Sequence, residues 1–109
     1  MSDPAFLHIS RIACEATNSL VGTDELEAVL GLDRFPLGKF RAGTVIDGPV
    51  ERAIALGVAE LVIQDAGLLS PTILGRFDLT QNMDTERVVA IFEGSARYDL
   101  TLIVASEPG

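Results

Sequence analysis

The sequence predicts a single α+β domain over residues 1–109, with two short helices packed on one face of a mixed or antiparallel sheet. The length of 109 residues fits one domain, and a hydrophobic content of 48% is enough for a core. A β–α–β pattern over residues 43–65 is followed by apolar and polar alternation as far as residue 106. The expected order is β-α-β-α-β and then a C-terminal β meander.

The first part of the chain is predicted to hold one strand and one helix. Residues 5–13 are rich in β-branched and aromatic side chains, which favours a strand. Thr23 suits the N-cap of a helix over 24–30, which has acids in its first turn, and Gly31 suits its C′ position. Residues 32–42 are predicted to be a loop, because proline and glycine interrupt them.

The β–α–β pattern occupies the middle of the chain. Residues 43–47 favour a short strand. A helix over 49–57 then has Pro49 at its first position and a glycine at its end. Residues 58–65 form an apolar run that predicts a buried strand.

The C-terminal third is predicted to be a meander of three strands. Residues 97–106 alternate clearly between apolar and polar side chains. Residues 72–80 and 86–93 also favour strands, although caps and glycines at their ends permit short helices as the alternative. Turns are expected at 81–84 and 94–96.

Charge and cysteine content limit the partners and the compartment. Eight basic and sixteen acidic residues give a net charge of −8, which argues against nucleic-acid binding, because phosphate contacts need surplus lysine and arginine. The N-terminus lacks a signal-peptide pattern, and carboxylates interrupt the least charged stretch, so we expect no membrane partner. The single cysteine excludes an intrachain disulfide and favours the cytoplasm.

Two aspartates follow predicted strands and are candidate functional residues. Asp65 ends the strand over 58–65, and Asp47 ends the strand over 43–47. Ligands gather at the carboxyl ends of strands in open α/β sheets, so Asp65 is a candidate general base and Asp47 a candidate ligand or interface residue. The structural alternative is that both cap turns or helices and are satisfied by backbone N–H groups.

One basic segment stands out on this acidic chain. Arg34, Lys39 and Arg41 lie within eight residues of each other, together with Phe35 and Phe40 and without an acid. The three cations are candidates for binding a small anionic ligand or for docking against an acidic face of a second copy. The alternative is a loop with its phenylalanines in the core and its charges in water.

The remaining residues predict no metal or cofactor site. His8 is the only histidine, and six residues along a strand would hold it about 20 Å from Cys14, too far for a local metal or catalytic pair. Cys14 is interpreted as a small buried apolar residue. Phosphate-loop, zinc and nucleophile motifs are absent from the sequence, and no family resemblance is specific enough to transfer functional residues.

These observations favour a small cytosolic homo-oligomer with a binding or structural role. The alternative is a small enzyme, an isomerase, lyase or hydrolase of a small acidic metabolite. In that enzyme Asp65 would be the general base, and Arg34 or Arg41 would bind the substrate carboxylate. A third hypothesis is an accessory subunit of a larger complex.

Overall fold

Two antiparallel four-stranded sheets make up the fold of the computed structural model. The structure describes residues 5–19, 22–55, 60–67, 71–79 and 84–105. Their strands are β1 (Ala5–Ala16), β2 (Asp24–Leu30), β3 (Asp33–Phe40), β4 (Val45–Ala55), β5 (Glu60–Asp65), β6 (Thr72–Asp78), β7 (Arg87–Glu93) and β8 (Ala96–Ala105).

Each sheet pairs strands that are adjacent in sequence and strands that are far apart in sequence. The first sheet has the order β4-β1-β8-β7, and the second has the order β3-β2-β5-β6. The first sheet therefore has β1 and β8 at its centre, with Leu7 opposite Val104 and Ile12 opposite Leu100.

One hydrophobic core lies between the sheets. Side chains alternate between inside and outside along the strands, with every second residue of β2 and of β8 buried. The buried apolar residues of both sheets form a single cluster: Leu7, Ile9, Ile12, Cys14, Leu26, Ala28, Leu30, Leu37, Phe40, Val50, Leu61, Ile63, Leu74, Leu79, Ile91, Ala96, Tyr98, Leu100, Leu102 and Val104. The architecture is therefore a β-sandwich, and the α+β prediction is wrong.

The predicted helix over 24–30 is strand β2. Leu26, Ala28 and Leu30 are buried at intervals of two residues, which is the period of a strand. Gly31 has a φ of 62°, and it belongs to the turn that pairs β2 with β3 rather than to a helix end. The acids assigned to a first helical turn alternate instead, with Asp24 pointing inward and Glu25 outward.

The predicted helix over 49–57 is also wrong, because residues 49–55 belong to strand β4. β4 is an edge strand, where a proline such as Pro49 is tolerated because its missing N–H can face away from the sheet. Residues 56 and 57 lie outside the described residues. The predicted loop over 32–42 is wrong as well, because β3 occupies most of these residues. β3 is an edge strand of the second sheet, where its proline is also tolerated.

Other strands were predicted correctly from β-branched content, an apolar run or alternation. Strands occur at β1, β5, β6, β7 and β8, close to the expected ranges. The meander is correct only in part: β7 and β8 form a hairpin, whereas β6 lies in the other sheet. Of the expected turn at 81–84, residues 81–83 lie outside the described residues.

Candidate functional site

A cluster of buried and half-buried polar groups lies where β1 ends and β2 begins. We call it the carboxylate cluster; it comprises Cys14, Asn18, Asp24, Asp65 and Tyr98. Each comes from a different element: the end of β1, the following loop, the start of β2, the end of β5 and the early part of β8. Antiparallel pairing brings these positions to the same end of the sandwich.

Asp24 is fully buried and accepts three hydrogen bonds. The backbone N–H groups of Asn18 and Ser19 donate to its two carboxylate oxygens at 2.7 and 2.8 Å. The hydroxyl of Tyr98 donates to the oxygen that Asn18 also contacts. A buried carboxylate with three donors is well compensated for lost hydration, and it fixes the loop after β1 against β8.

Tyr98 and Cys14 are held in their neutral forms. Burial raises the pKa of the Tyr98 hydroxyl far above its ordinary value, and its hydrogen bond to Asp24 raises the pKa further. Burial also raises the pKa of the Cys14 thiol, with the negative charge of Asp24 adding to the effect and a hydrogen bond with Tyr98 opposing it. The Tyr98 ring also meets Phe40 edge-on, with centroids 5.7 Å apart.

Cys14 is therefore expected to react slowly with thiol reagents in the folded protein. Its side chain is buried, and its thiolate, the reactive form, is disfavoured. We expect labelling by a maleimide at neutral pH to be at least about 100-fold slower than in urea, because the reagent must wait for opening of the sheet. Mass spectrometry of timed samples measures this rate. A native rate within a few fold of the unfolded rate would contradict the placement of Cys14 in the core.

Asp65 is the second buried carboxylate. One of its oxygens accepts the backbone N–H groups of Glu25 and Gly67, at 3.1 and 3.2 Å. The other accepts the side-chain amide of Asn18 at 3.3 Å. Asn18 thus connects the two carboxylates: its backbone N–H donates to Asp24, and its side-chain amide donates to Asp65.

The predicted role of Asp65 as a general base stays a prediction. The structure places its carboxylate among three donors, which stabilise the ionised form and occupy most of its acceptor positions. Among the described residues, no buried side-chain nitrogen or oxygen lacks a hydrogen-bond partner. This arrangement favours positioning of the loop and strand ends over chemistry.

The predicted basic segment is spread along the edge strand β3 and faces acids. Arg34 lies 3.7 Å from Glu27, and Lys39 lies 3.6 Å from Glu25. Both acids belong to β2, which pairs with β3 in this register. The cations are largely exposed, so each pair contributes little to stability. Acids of the neighbouring strand therefore balance the local positive charge seen in the sequence.

Arg41 and Asp47 lie away from the two ion pairs between β2 and β3. Arg41 is in the connection from β3 to β4, where its backbone N–H donates to the Thr44 hydroxyl. Asp47 is exposed on β4, in the first sheet, with Arg11 as its cross-strand neighbour. Arg34 and Lys39 are in the second sheet, so the structure distributes the predicted ligand residues over both sheets.

The described residues hold no group of three or more histidine, cysteine, aspartate or glutamate side chains suited to a metal ion. His8 is half-buried on β1, opposite Ile103 of β8. In the same parts of the chain, no helix has the length and hydropathy that crossing a membrane requires.

Edge strand β7 carries a surface that sequence reasoning did not single out. Val88 and Phe92 are 64% and 69% exposed, and Ala90 between them is exposed as well. Val89 and Ile91 point the other way, toward the core. The sequence does show that β7 is apolar on both faces, a pattern typical of a strand at the centre of a sheet. β7 lies at an edge instead, so one of its apolar faces is exposed.

Comparison with known proteins identifies no family for this chain. No protein-family model matches the chain, and no curated protein sequence matches it. A solved structure of a C2 domain from plant extended synaptotagmin 1 superposes with a TM-score of 0.45 at 11% identity, covering 98% of this chain and 97% of that one. The assignment of a two-sheet sandwich rests on the strand pairing described above.

Proposed function

We propose that this chain is a small binding domain that acts as a homo-oligomer in the cytosol. The observation that carries the proposal is the exposed apolar surface of β7, formed by Val88, Ala90 and Phe92. Association of a small domain through such a surface removes apolar area from water.

The charged face of the sandwich supports the choice of the β7 region as the contact surface. On the outer face of the second sheet, cations already meet acids: Arg34 with Glu27, Lys39 with Glu25, and Arg76 with Glu60 at 3.1 Å. Binding there would disrupt pairs that water and the neighbouring strand already satisfy. The exposed side chains of Val88 and Phe92 are apolar, so burying them breaks no ion pair of their own.

A second copy of the chain is the proposed partner. With a net charge of −8, two copies repel each other unless the contact itself carries favourable charge. β7 begins with Arg87 and ends with Glu93, so an antiparallel arrangement of two such strands brings opposite charges together.

The test is the mass of the protein in solution. We expect light scattering after size exclusion, at micromolar to submillimolar concentrations, to give twice the chain mass of 11.6 kDa or a higher multiple. The apparent mass should fall on dilution if association is reversible. A strict monomer across that range would overturn the proposal.

A further inference from the structure

β7 differs from the other three edge strands of the sandwich. β3 contains Pro36 and Lys39 and a shift in pairing register, and β4 contains Pro49 and two register shifts. β6 has a glycine, Gly75, and a register shift against β5. These are devices that prevent an edge from pairing with another chain. β7 has no proline, lysine or glycine, its charged residues stand only at its two ends, and its register with β8 is continuous from Arg87 to Glu93.

The open side of β7 exposes a defined set of backbone groups. A two-residue loop, Gly94 and Ser95, joins β7 to β8, so the closing pair of Glu93 and Ala96 exchanges hydrogen bonds. Hydrogen-bonded pairs recur at every second residue of an antiparallel pair. The N–H and C=O groups of Val88, Ala90 and Phe92 therefore point to the open edge, where the described strands offer no partner.

We propose that two copies join by antiparallel pairing of β7 with β7, with the twofold axis at Ala90. This inference rests on the proposed self-association and specifies its surface. In this register Val88 lies opposite Phe92 of the second copy, and Arg87 lies opposite Glu93, each pair occurring twice. The first sheet of one copy, which has four strands, thereby joins the first sheet of the other copy to form one continuous sheet.

The backbone parity agrees with this register. The axis pairs Ala90 with its own copy and Val88 with Phe92, which are the residues whose N–H and C=O groups face outward. Arg87 and Glu93 fall at non-hydrogen-bonded positions, where opposite side chains approach most closely. Apolar, backbone and charge complementarity thus select the same alignment.

The exposed side chains gain contacts on this pairing. A valine directly opposite an aromatic ring is a favourable cross-strand pair. Arg97 of β8 lies over the Phe92 ring, with its guanidinium carbon 5.2 Å from the ring centroid, and restricts the ring's position while leaving most of it exposed.

A charge-reversal experiment tests the register. Glu93→Arg places two arginines opposite each other at both ends of the interface, and we expect the dimer dissociation constant to rise at least about tenfold. The double variant Arg87→Glu/Glu93→Arg exchanges the charges and is expected to bring the constant back to within a few fold of the wild-type value, the remainder reflecting loss of the hydrogen bond that Arg87 donates to the Asp78 carbonyl in its own copy. Val45→Lys, at an exposed valine of edge strand β4, is the matched control and should leave the constant unchanged.

A cross-linking experiment reads the axis directly. Hydrogen-bonded antiparallel pairs hold their Cα atoms about 5.5 Å apart, within the range of a disulfide. Ala90→Cys is therefore expected to give a covalent dimer with oxidised glutathione, whereas Val88→Cys, displaced from its own copy along the strand, is not. The wild-type protein, whose single cysteine Cys14 is buried, is the control and should give no covalent dimer.

The outcomes separate the two proposals. A wild-type monomer overturns both the self-association and the β7 pairing. A wild-type dimer that resists Glu93→Arg, or that cross-links through Val88→Cys and not through Ala90→Cys, overturns the β7 register while leaving self-association intact. Circular dichroism of each variant establishes that loss of the dimer is not loss of the fold.

Discussion

Replacing Asp24 by alanine is expected to lower the free energy of unfolding by roughly 3–5 kcal/mol, because it leaves buried donors without their charged acceptor. The donors are the hydroxyl of Tyr98 and the backbone N–H groups of Asn18 and Ser19. Small domains have a total stability of about 5–15 kcal/mol, so the loss is large.

Urea denaturation followed by circular dichroism measures this change. Glu25→Ala is the matched control, because Glu25 is the next residue but points outward to the exposed Lys39. We expect the control to change stability by less than about 1 kcal/mol. Equal losses for the two variants would contradict the structural role of Asp24.

Alkaline pH is expected to destabilise the fold through Tyr98 and Cys14. Both groups are neutral when protonated, and folding raises the pKa of each above its ordinary value of 10.0 for the tyrosine and 9.0 for the thiol. Their contribution is fully present below those ordinary values and is lost as pH rises, because the unfolded chain releases protons that the folded chain retains. Above pH 10 the tyrosine alone costs up to about 1.4 kcal/mol per pH unit.

The composition makes this prediction specific to one residue. The chain has one tyrosine and no tryptophan, so tyrosinate absorbance reports on Tyr98 alone. We expect tyrosinate to appear together with the loss of β-sheet circular dichroism, whereas in urea it should titrate near the ordinary tyrosine pKa.

Tyr98→Phe supplies the control for the pH dependence. It keeps the ring beside Phe40 but removes the ionisable group, so stability should be lower at neutral pH and should fall less steeply above pH 10. Tyrosinate that forms while the native spectrum persists would contradict the burial of this hydroxyl.

Local sequence pattern predicted those strands whose alternation has no competing interpretation. β8 is the clearest case, with inward and outward residues alternating along its whole length. β2 was mistaken for a helix because its short sequence satisfies both patterns: apolar residues three and four apart share a helical face, and Leu26, Ala28 and Leu30 share a strand face. Only the neighbouring strands, which are distant in sequence, decide between them.

The contacts of the candidate site were even less predictable from local sequence than the strands. Asp65 lies at the end of a buried strand, as its sequence context indicates, but its partner Asn18 lies 47 positions away in sequence. Tyr98 and Asp24 are 74 positions apart. Nothing in the local spacing indicates such pairs, and the helix prediction over 24–30 directed Asp24 outward to a helix terminus. The charges of β3 were likewise judged without the acids of β2, because the segment was predicted to be a loop.

The central pairing of β1 with β8 has a consequence for how this chain acquires its structure. β1 is synthesised well before β8, so it cannot complete its sheet until β8 has emerged from the ribosome. Folding must therefore bring together residues as distant in sequence as Ile12 and Leu100, and topologies with such non-local pairing fold slowly, on a scale of about milliseconds to seconds. Until β8 is made, β1 has only β4 as a hydrogen-bonded neighbour in its sheet, so its other edge stays open to pairing with a second chain.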